Sequence, residues 1–195
     1  MFHQTNQRSN VSITFSKNFP TFNLDATFCL REHKDKDAQS FFEYYTPEVN
    51  QYIIAAKPQC LSDAKSEIQY CKNLFHFKRG IYWSITEKST DQMVGAIGLT
   101  IYAGNKRAEL HYDLAKSYWN KGITTKAITQ ILDYAFNTLG LIRVEALTMN
   151  NNIASQKVLI KNNFIYEGCL HAYKYHEGQA MDVELFAITN PSLGK

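Results

Sequence analysis

Between Arg107 and Ser155 the residue types and their spacing could support chemistry. In Trp119-Asn-Lys-Gly-Ile-Thr-Thr125 a strand gives way to a helix, and the backbone N–H groups at a helix start form a ready site for a phosphate or pyrophosphate. Gly122 allows close approach of a ligand, although many helices begin after a glycine and Thr124 or Thr125 would serve as a plain cap. Asn152 and Ser155 stand three positions apart at the start of a short helix, so they face one direction; a simple N-cap has the same spacing. In the strand before the turn, alternation sets Glu109, His111 and Asp113 on one face and Tyr112 and Leu114 on the other. Glu109 can take a proton or make an ion pair, and His111 can act near neutral pH or simply pack. Backbone donors, a helix N-terminus and two small polar side chains along one groove suit a long phosphate-bearing thioester, hence coenzyme A chemistry, better than a nucleotide base.

The surrounding elements must hold these groups in place. Residues 1–24 show no sustained period and read as a partly ordered N-terminal arm. A strand is expected over Ala26–Leu30, a helix over AQSFFEYY before Pro47, and a second helix from an N-cap at Ser62 to about Lys78 and Gly80. IYWSIT, MVGAIGLTI and AELHYDL follow as a meander joined by the short polar turns KSTDQ and AGNK. Ile123, Ala127, Ile128, Ile131, Leu132, Ala135, Phe136 and Leu139 then form one helical stripe closed by Gly140. A strand IRVEALTM, a short helix from Ile153 to about Asn162 and two strands around HEGQ complete the chain. The order predicts an α/β (α+β) fold: a mixed sheet, antiparallel in its first half, with helices on both faces over residues 25–190. A doubly wound dinucleotide fold is disfavoured, because strands and helices do not alternate and no early Gly-x-Gly-x-x-Gly is present.

With 195 residues, 45% of them apolar and 13% aromatic, the chain has material for one packed core and needs no disulfide or metal to hold it. Its net charge of +3 comes from basic residues scattered among acids, which gives no support to nucleic-acid binding. Cys29, Cys60, Cys71 and Cys169 form no Cys-x-x-Cys, so buried free thiols are expected and no metal is implied. The polar N-terminus lacks the apolar run of a signal peptide, and no later stretch reaches membrane-spanning length. A cytoplasmic protein without a membrane partner is expected.

Three blocks in order, AELHYDL, YWNKGITTKA and NIASQKVLIKNNFIYEG, resemble motifs of the GNAT superfamily of N-acetyltransferases, and more closely its RimJ/RimL-like ribosomal-protein N-terminal acetyltransferase branch. That branch reads Ala-Glu-hydrophobic-Gly-Tyr-Trp-hydrophobic, Tyr-Trp-Gly-x-Gly-Tyr-Ala-Thr-Glu-Ala and Asn-x-x-Ser...Leu-x-x-x-Gly-Phe-x-x-Glu-Gly; the likeness spans about residues 24 to 190. It implies a GNAT fold with a sheet of about seven strands, splayed where the strand ending near Leu114 parts from the one ending near Met149, often at a β-bulge. It also implies that the N–H groups of Asn120, Lys121, Gly122, Ile123, Thr124 and Thr125 hold the coenzyme A pyrophosphate. The pantetheine arm would lie against Leu114 and Asn152, its amides pairing like an added strand. Ser155 would hydrogen-bond or protonate the departing thiolate, because Leu159 stands where many relatives carry a tyrosine acid. Glu109 would be the base or proton-relay anchor and His111, in place of the branch's glycine, a second base. A backbone N–H near Tyr112 to Leu114 would stabilise the oxyanion, and with no cysteine in the motif region transfer would be direct. Among Tyr173, His171 and Lys174 there is no acid to match the catalytic carboxylate of some relatives, and Asn120, Thr124 and Asn163 replace smaller residues of the pattern.

The resemblance thus implies an acyl-CoA-dependent N-acetyltransferase that moves an acetyl group from acetyl-CoA to a primary amine, with a protein or peptide N-terminus as the favoured acceptor. A small amine (polyamine, amino acid or antibiotic) is the alternative within the class, and a catalytically silent acyl-CoA-binding module or a nucleotide-binding protein the alternatives outside it; a monomer or homodimer fits each. Coenzyme A should raise the thermal midpoint by several degrees at saturating concentration. Protection by ATP or NAD in its place would return the chain to the nucleotide-binding class.

Overall fold

A computed structural model describes residues 13–53, 57–176 and 178–192. The elements run β1 (Phe22–Asn23), β2 (Phe28–Glu32), α1 (Asp37–Tyr44), α2 (Pro47–Asn50), α3 (Leu61–His76), β3 (Gly80–Glu87), β4 (Met93–Tyr102) and β5 (Arg107–Leu114). They continue with α4 (Ile123–Asp133), β6 (Arg143–Thr148), α5 (Ile153–Lys161), β7 (Ile165–His176) and β8 (Gln179–Thr189). Among the described residues, eight strands form one sheet in the order β1-β2-β3-β4-β5-β6-β8-β7. The two-residue β1, paired with Cys29 and Leu30, accounts for the strand beyond the seven expected.

Connection length sets strand direction. The short turns between β3, β4 and β5 force antiparallel neighbours, whereas the α4 crossover returns β6 parallel to β5. β8 then inserts between β6 and β7, antiparallel to both. No helix among the described residues is long and apolar enough to cross a membrane.

The core is divided by the sheet. Ile81, Trp83 and Ile85 of β3, Ile97, Leu99 and Ile101 of β4, and Ala108, Leu110 and Leu114 of β5 meet Ile123, Ala127, Ile128 and Ile131 of α4. Phe136 of the predicted stripe is only partly buried, because the helix widens into a π-helical turn over Tyr134–Thr138 before Gly140 (φ 70°) ends it. On the opposite face α1 and α3 bring Phe41, Tyr44, Tyr45, Ala64 and Ile68 against Met93 and Ala115. Of the expected arm, residues 1–12 lie outside the described residues. Ile13, Phe15, Phe19, Phe22 and Leu24 pack on the larger cluster, and Pro20 O accepts from the Trp83 indole at 2.7 Å.

Local chemistry moved two boundaries. Pro47 opens a separate turn, α2, since its fixed φ and missing N–H suit a first helical position. The helix expected to be capped by Ser62 instead begins at Leu61 after Cys60. There the Asp63 carboxylate accepts from the N–H groups of Gln59 (2.8 Å) and Cys60 (3.3 Å), so Ser62 lies inside the first turn. Fully buried Trp83, edge-on to Phe19 at 5.7 Å, is the keystone between arm and sheet. Trp83→Ala should cost about 3–5 kcal/mol in denaturant unfolding and expose residues 13–24 to proteolysis. A loss below 1 kcal/mol would remove it from that role.

Candidate active site

The sheet opens between β5 and β6. β5 and β6 pair only from Arg107↔Arg143 to Glu109↔Glu145, yet β5 stays on β4 as far as Leu114 and β6 stays on β8 as far as Thr148. A gap therefore widens between the C-terminal halves of β5 and β6. The β-bulge expected there is absent: the β4–β5 register is continuous, and the parting comes from the two strands following different neighbours. Because the Ala115 N–H bonds Val94 O, alternation turns the N–H groups of Tyr112 and Leu114 into the gap and that of Asp113 towards β4. The Leu114 carbonyl accepts from the Trp119 indole at 2.7 Å.

At the open end of the gap lies the turn into α4. Asn120 (φ 61°) and Gly122 (φ 73°) both adopt the left-handed conformation, which asparagine tolerates better than most residues. The last N–H bonded before the turn is Trp119 to Lys116 O, and the first bonded after it is Lys126 to Gly122 O. Between them, the N–H groups of residues 120–125 meet no acceptor among the described residues. Among the described residues no side chain caps α4, and Thr124 and Thr125 do not fill the capping role open to them in the sequence. Ile123 is buried and offers this turn only its backbone, while Lys121 Nζ sits 4.9 Å from the Tyr118 ring centroid. Several free donors at the positive end of a helix dipole are suited to a pyrophosphate.

The start of α5 faces the same gap. Asn152 is its cap, with Oδ1 accepting from the Ser155 N–H at 3.1 Å, so the plain capping role is real. Ser155 Oγ in turn lies 2.6 Å from the Tyr112 hydroxyl on β5. Burial pushes the Tyr112 phenol up to about 12, partly offset by the bond to Ser155, so the pair stays protonated at neutral pH. Leu159 is fully buried in the core and supplies no hydroxyl. Tyr112 was missed in the sequence because its partner lies 43 residues away; its only signal was its place on the face that carries Leu114.

On the other face of β5 the predicted trio is present. Glu109 Oε1 lies 3.8 Å from His111 Nε2, and the same nitrogen lies 3.2 Å from Thr100 Oγ1. Burial lowers the His111 pKa and Lys174 adds to that, while the Glu109 carboxylate opposes it. Asp113 Oδ1 accepts from the Tyr44 hydroxyl (2.6 Å) and the Ala96 N–H (3.2 Å), tying β5 to α1 and β4. Burial nevertheless pushes this carboxyl up to about 6. In the late strand, where residues 171–174 hold no acid, Asp182 of β8 contacts His171 Nδ1 at 2.8 Å and caps the Ala172 N–H.

The sequence profile of the acetyltransferase (GNAT) domain matches residues 27–165. The chain is 33% identical to the "Uncharacterized N-acetyltransferase YoaA" of Bacillus subtilis over 89% of this chain and 98% of that one. It is 28% identical to the ribosomal-protein-serine acetyltransferase of Escherichia coli over 66% of this chain and 72% of the relative. Among solved structures, a RimL ribosomal L7/L12 alpha-N-protein acetyltransferase in complex with coenzyme A superposes with a TM-score of 0.79, covering 87% of this chain and 98% of that one at 20% identity.

Because the folded state raises the Asp113 pKa from 3.8 to about 6, it binds that proton more tightly than the unfolded chain. The corresponding stability is present at low pH and is lost as pH rises through about 6. Asp113→Asn, which can still accept from Tyr44 and Ala96, should therefore gain in thermal midpoint over the parent as pH increases from about 4 to about 7. A difference that stays flat across that range would contradict the raised pKa.

Proposed function

This chain belongs to the GNAT acetyltransferase family and is an acyl-CoA-dependent N-acetyltransferase, and from that premise we propose that it transfers acetyl from acetyl-CoA directly to a protein N-terminal α-amine. The observation that carries the reading is the gap between β5 and β6, bordered by the free N–H groups of residues 120–125 at its mouth and the Ser155–Tyr112 pair on its wall. The pyrophosphate of the cosubstrate binds the 120–125 turn. Its pantetheine arm lies along Leu114 and Asn152, with the N–H groups of Tyr112 and Leu114 available to an amide carbonyl or to the oxyanion.

The acceptor amine approaches from the α1–α3 face, on which Glu109 and His111 lie. An α-amine of pKa near ~8 is substantially protonated at neutral pH and must first lose a proton, which Glu109 or His111 accepts. The nitrogen lone pair attacks the thioester carbon, the tetrahedral oxyanion collapses, and the carbon–sulfur bond breaks. The nitrogen gives its second proton to water as the amide forms. Ser155 gives its proton to the departing thiolate and recovers one from Tyr112 through the hydrogen bond between them, and the phenol is reprotonated from solvent. The named activities of the RimL and ribosomal-protein-serine relatives favour a protein N-terminus as acceptor.

Ser155→Ala and Glu109→Gln should each lower kcat by about 100-fold while changing coenzyme A affinity less than threefold. Unchanged turnover would remove the residue from its role. Labelled acetyl-CoA incubated with a cell extract should mark protein N-termini in mass spectra; label found solely on small amines would sink the acceptor assignment. Tight coenzyme A binding without turnover on any acceptor would sink the catalytic one.

A further inference from the structure

Across three adjacent strands the residues at one level are Tyr82 of β3, Gly98 of β4 and His111 of β5. The middle position has no side chain, and the Tyr82 ring occupies its place. A Cβ built on Gly98 would lie 2.2 Å from Tyr82 Cδ1 and 2.3 Å from Cγ. So placed, the phenol ring stacks on the His111 imidazole, with centroids 5.9 Å apart and planes at 22°. Two residues along β4 on the same face, Thr100 Oγ1 lies 2.7 Å from the Tyr82 hydroxyl and 3.2 Å from His111 Nε2. Tyr82, Thr100 and His111 thus form a closed unit: a stack on one side and a chain of two hydrogen bonds on the other.

We propose that Thr100 and Tyr82 are positioning residues that hold His111 in the tautomer protonated on Nε2, leaving Nδ1 as the atom that accepts the acceptor amine's proton. The inference rests on the reading that the amine is deprotonated on this face. A neutral imidazole carries one N–H, and its location is set by what the ring nitrogens meet. Nε2 meets the Thr100 hydroxyl, which can accept a hydrogen bond from it, at 3.2 Å and the Glu109 carboxylate, which can only accept, at 3.8 Å, and the carboxylate favours a proton there. Nδ1 has no hydrogen-bond partner among the described residues. With Nε2 protonated, Thr100 accepts from Nε2–H and its own hydrogen is free to go to the Tyr82 oxygen.

The charged groups that bear on the imidazole are Glu109 on its own strand and Lys174 on β7; Tyr82 and Thr100 are the polar neighbours from β3 and β4. In the step itself the amine N–H bond breaks, its proton goes to Nδ1, and Nε2–H stays with Thr100. The freed lone pair forms the bond to the acyl carbon, the nitrogen gives its second proton to water as the amide forms, and the electron pair of the breaking carbon–sulfur bond leaves on sulfur, which Ser155 protonates. Glu109 stabilises the imidazolium so formed.

The test uses the full-length protein with ¹⁵N-labelled histidine. The parent should show His111 protonated on Nε2, and Thr100→Val, which keeps the shape and loses the hydroxyl, should shift population towards the Nδ1–H form. The same variant should lower kcat about tenfold and move the acid limb of its pH profile, with KM for acetyl-CoA unchanged. Tyr82→Phe, which keeps the stack, should act in the same direction but less. An unchanged tautomer in Thr100→Val overturns the positioning role. A shifted tautomer with unaltered kcat and pH profile overturns His111 as the base and leaves acetyl transfer to be carried by Glu109 alone.

Discussion

Everything at this site depends on two strands that cannot stay together. β5 and β6 share a parallel ladder of only three residue pairs, after which each follows its antiparallel partner, β4 or β8. An unpaired backbone edge inside a sheet normally incurs a hydrogen-bonding cost. Here it creates a slot whose walls are backbone donors and acceptors. The α4 crossover that makes β6 parallel also delivers a helix N-terminus to the mouth of that slot, and the next connection brings the start of α5 to its side.

The period-two alternation of β5 divides the work between the faces. Leu110 and Leu114 belong to the core beneath α4, and Tyr112 reaches Ser155 on that side. Glu109, His111 and Asp113 lie towards α1 and α3, where the sheet surface carries Tyr82, Ser84 and Thr100 beside Met93 and Ala96. Asp113 shows the tension in this arrangement: it anchors α1 through Tyr44, yet burial opposes its ionisation.

What could be read in the sequence was what a local period or spacing fixes. The α4 stripe, the β5 alternation, the antiparallel meander and the left-handed Asn120 all follow from neighbours in the chain. Topology-dependent features could not be read this way. The Tyr112–Ser155 bond joins residues 43 apart, β8 threads between β6 and β7, and Tyr82, Gly98 and His111 align only once three strands take their register. The expected bulge failed for the same reason: a splay can arise from competing partners as well as from an inserted residue. Ser62 failed more locally, because Asp63 is the stronger acceptor for the orphan donors before α3.

The turn before α4 presents peptide N–H groups, and peptide N–H groups are common to every residue except proline. Its chemistry is therefore largely indifferent to side-chain identity, provided that positions 120 and 122 can take positive φ. Such a cradle is open to evolutionary drift. Asparagine can replace glycine at 120 and threonine can enter at 124 while the donor array persists. Divergence in its letters is then a poor measure of divergence in its task, and descent is better traced through the backbone than through the alphabet written on it.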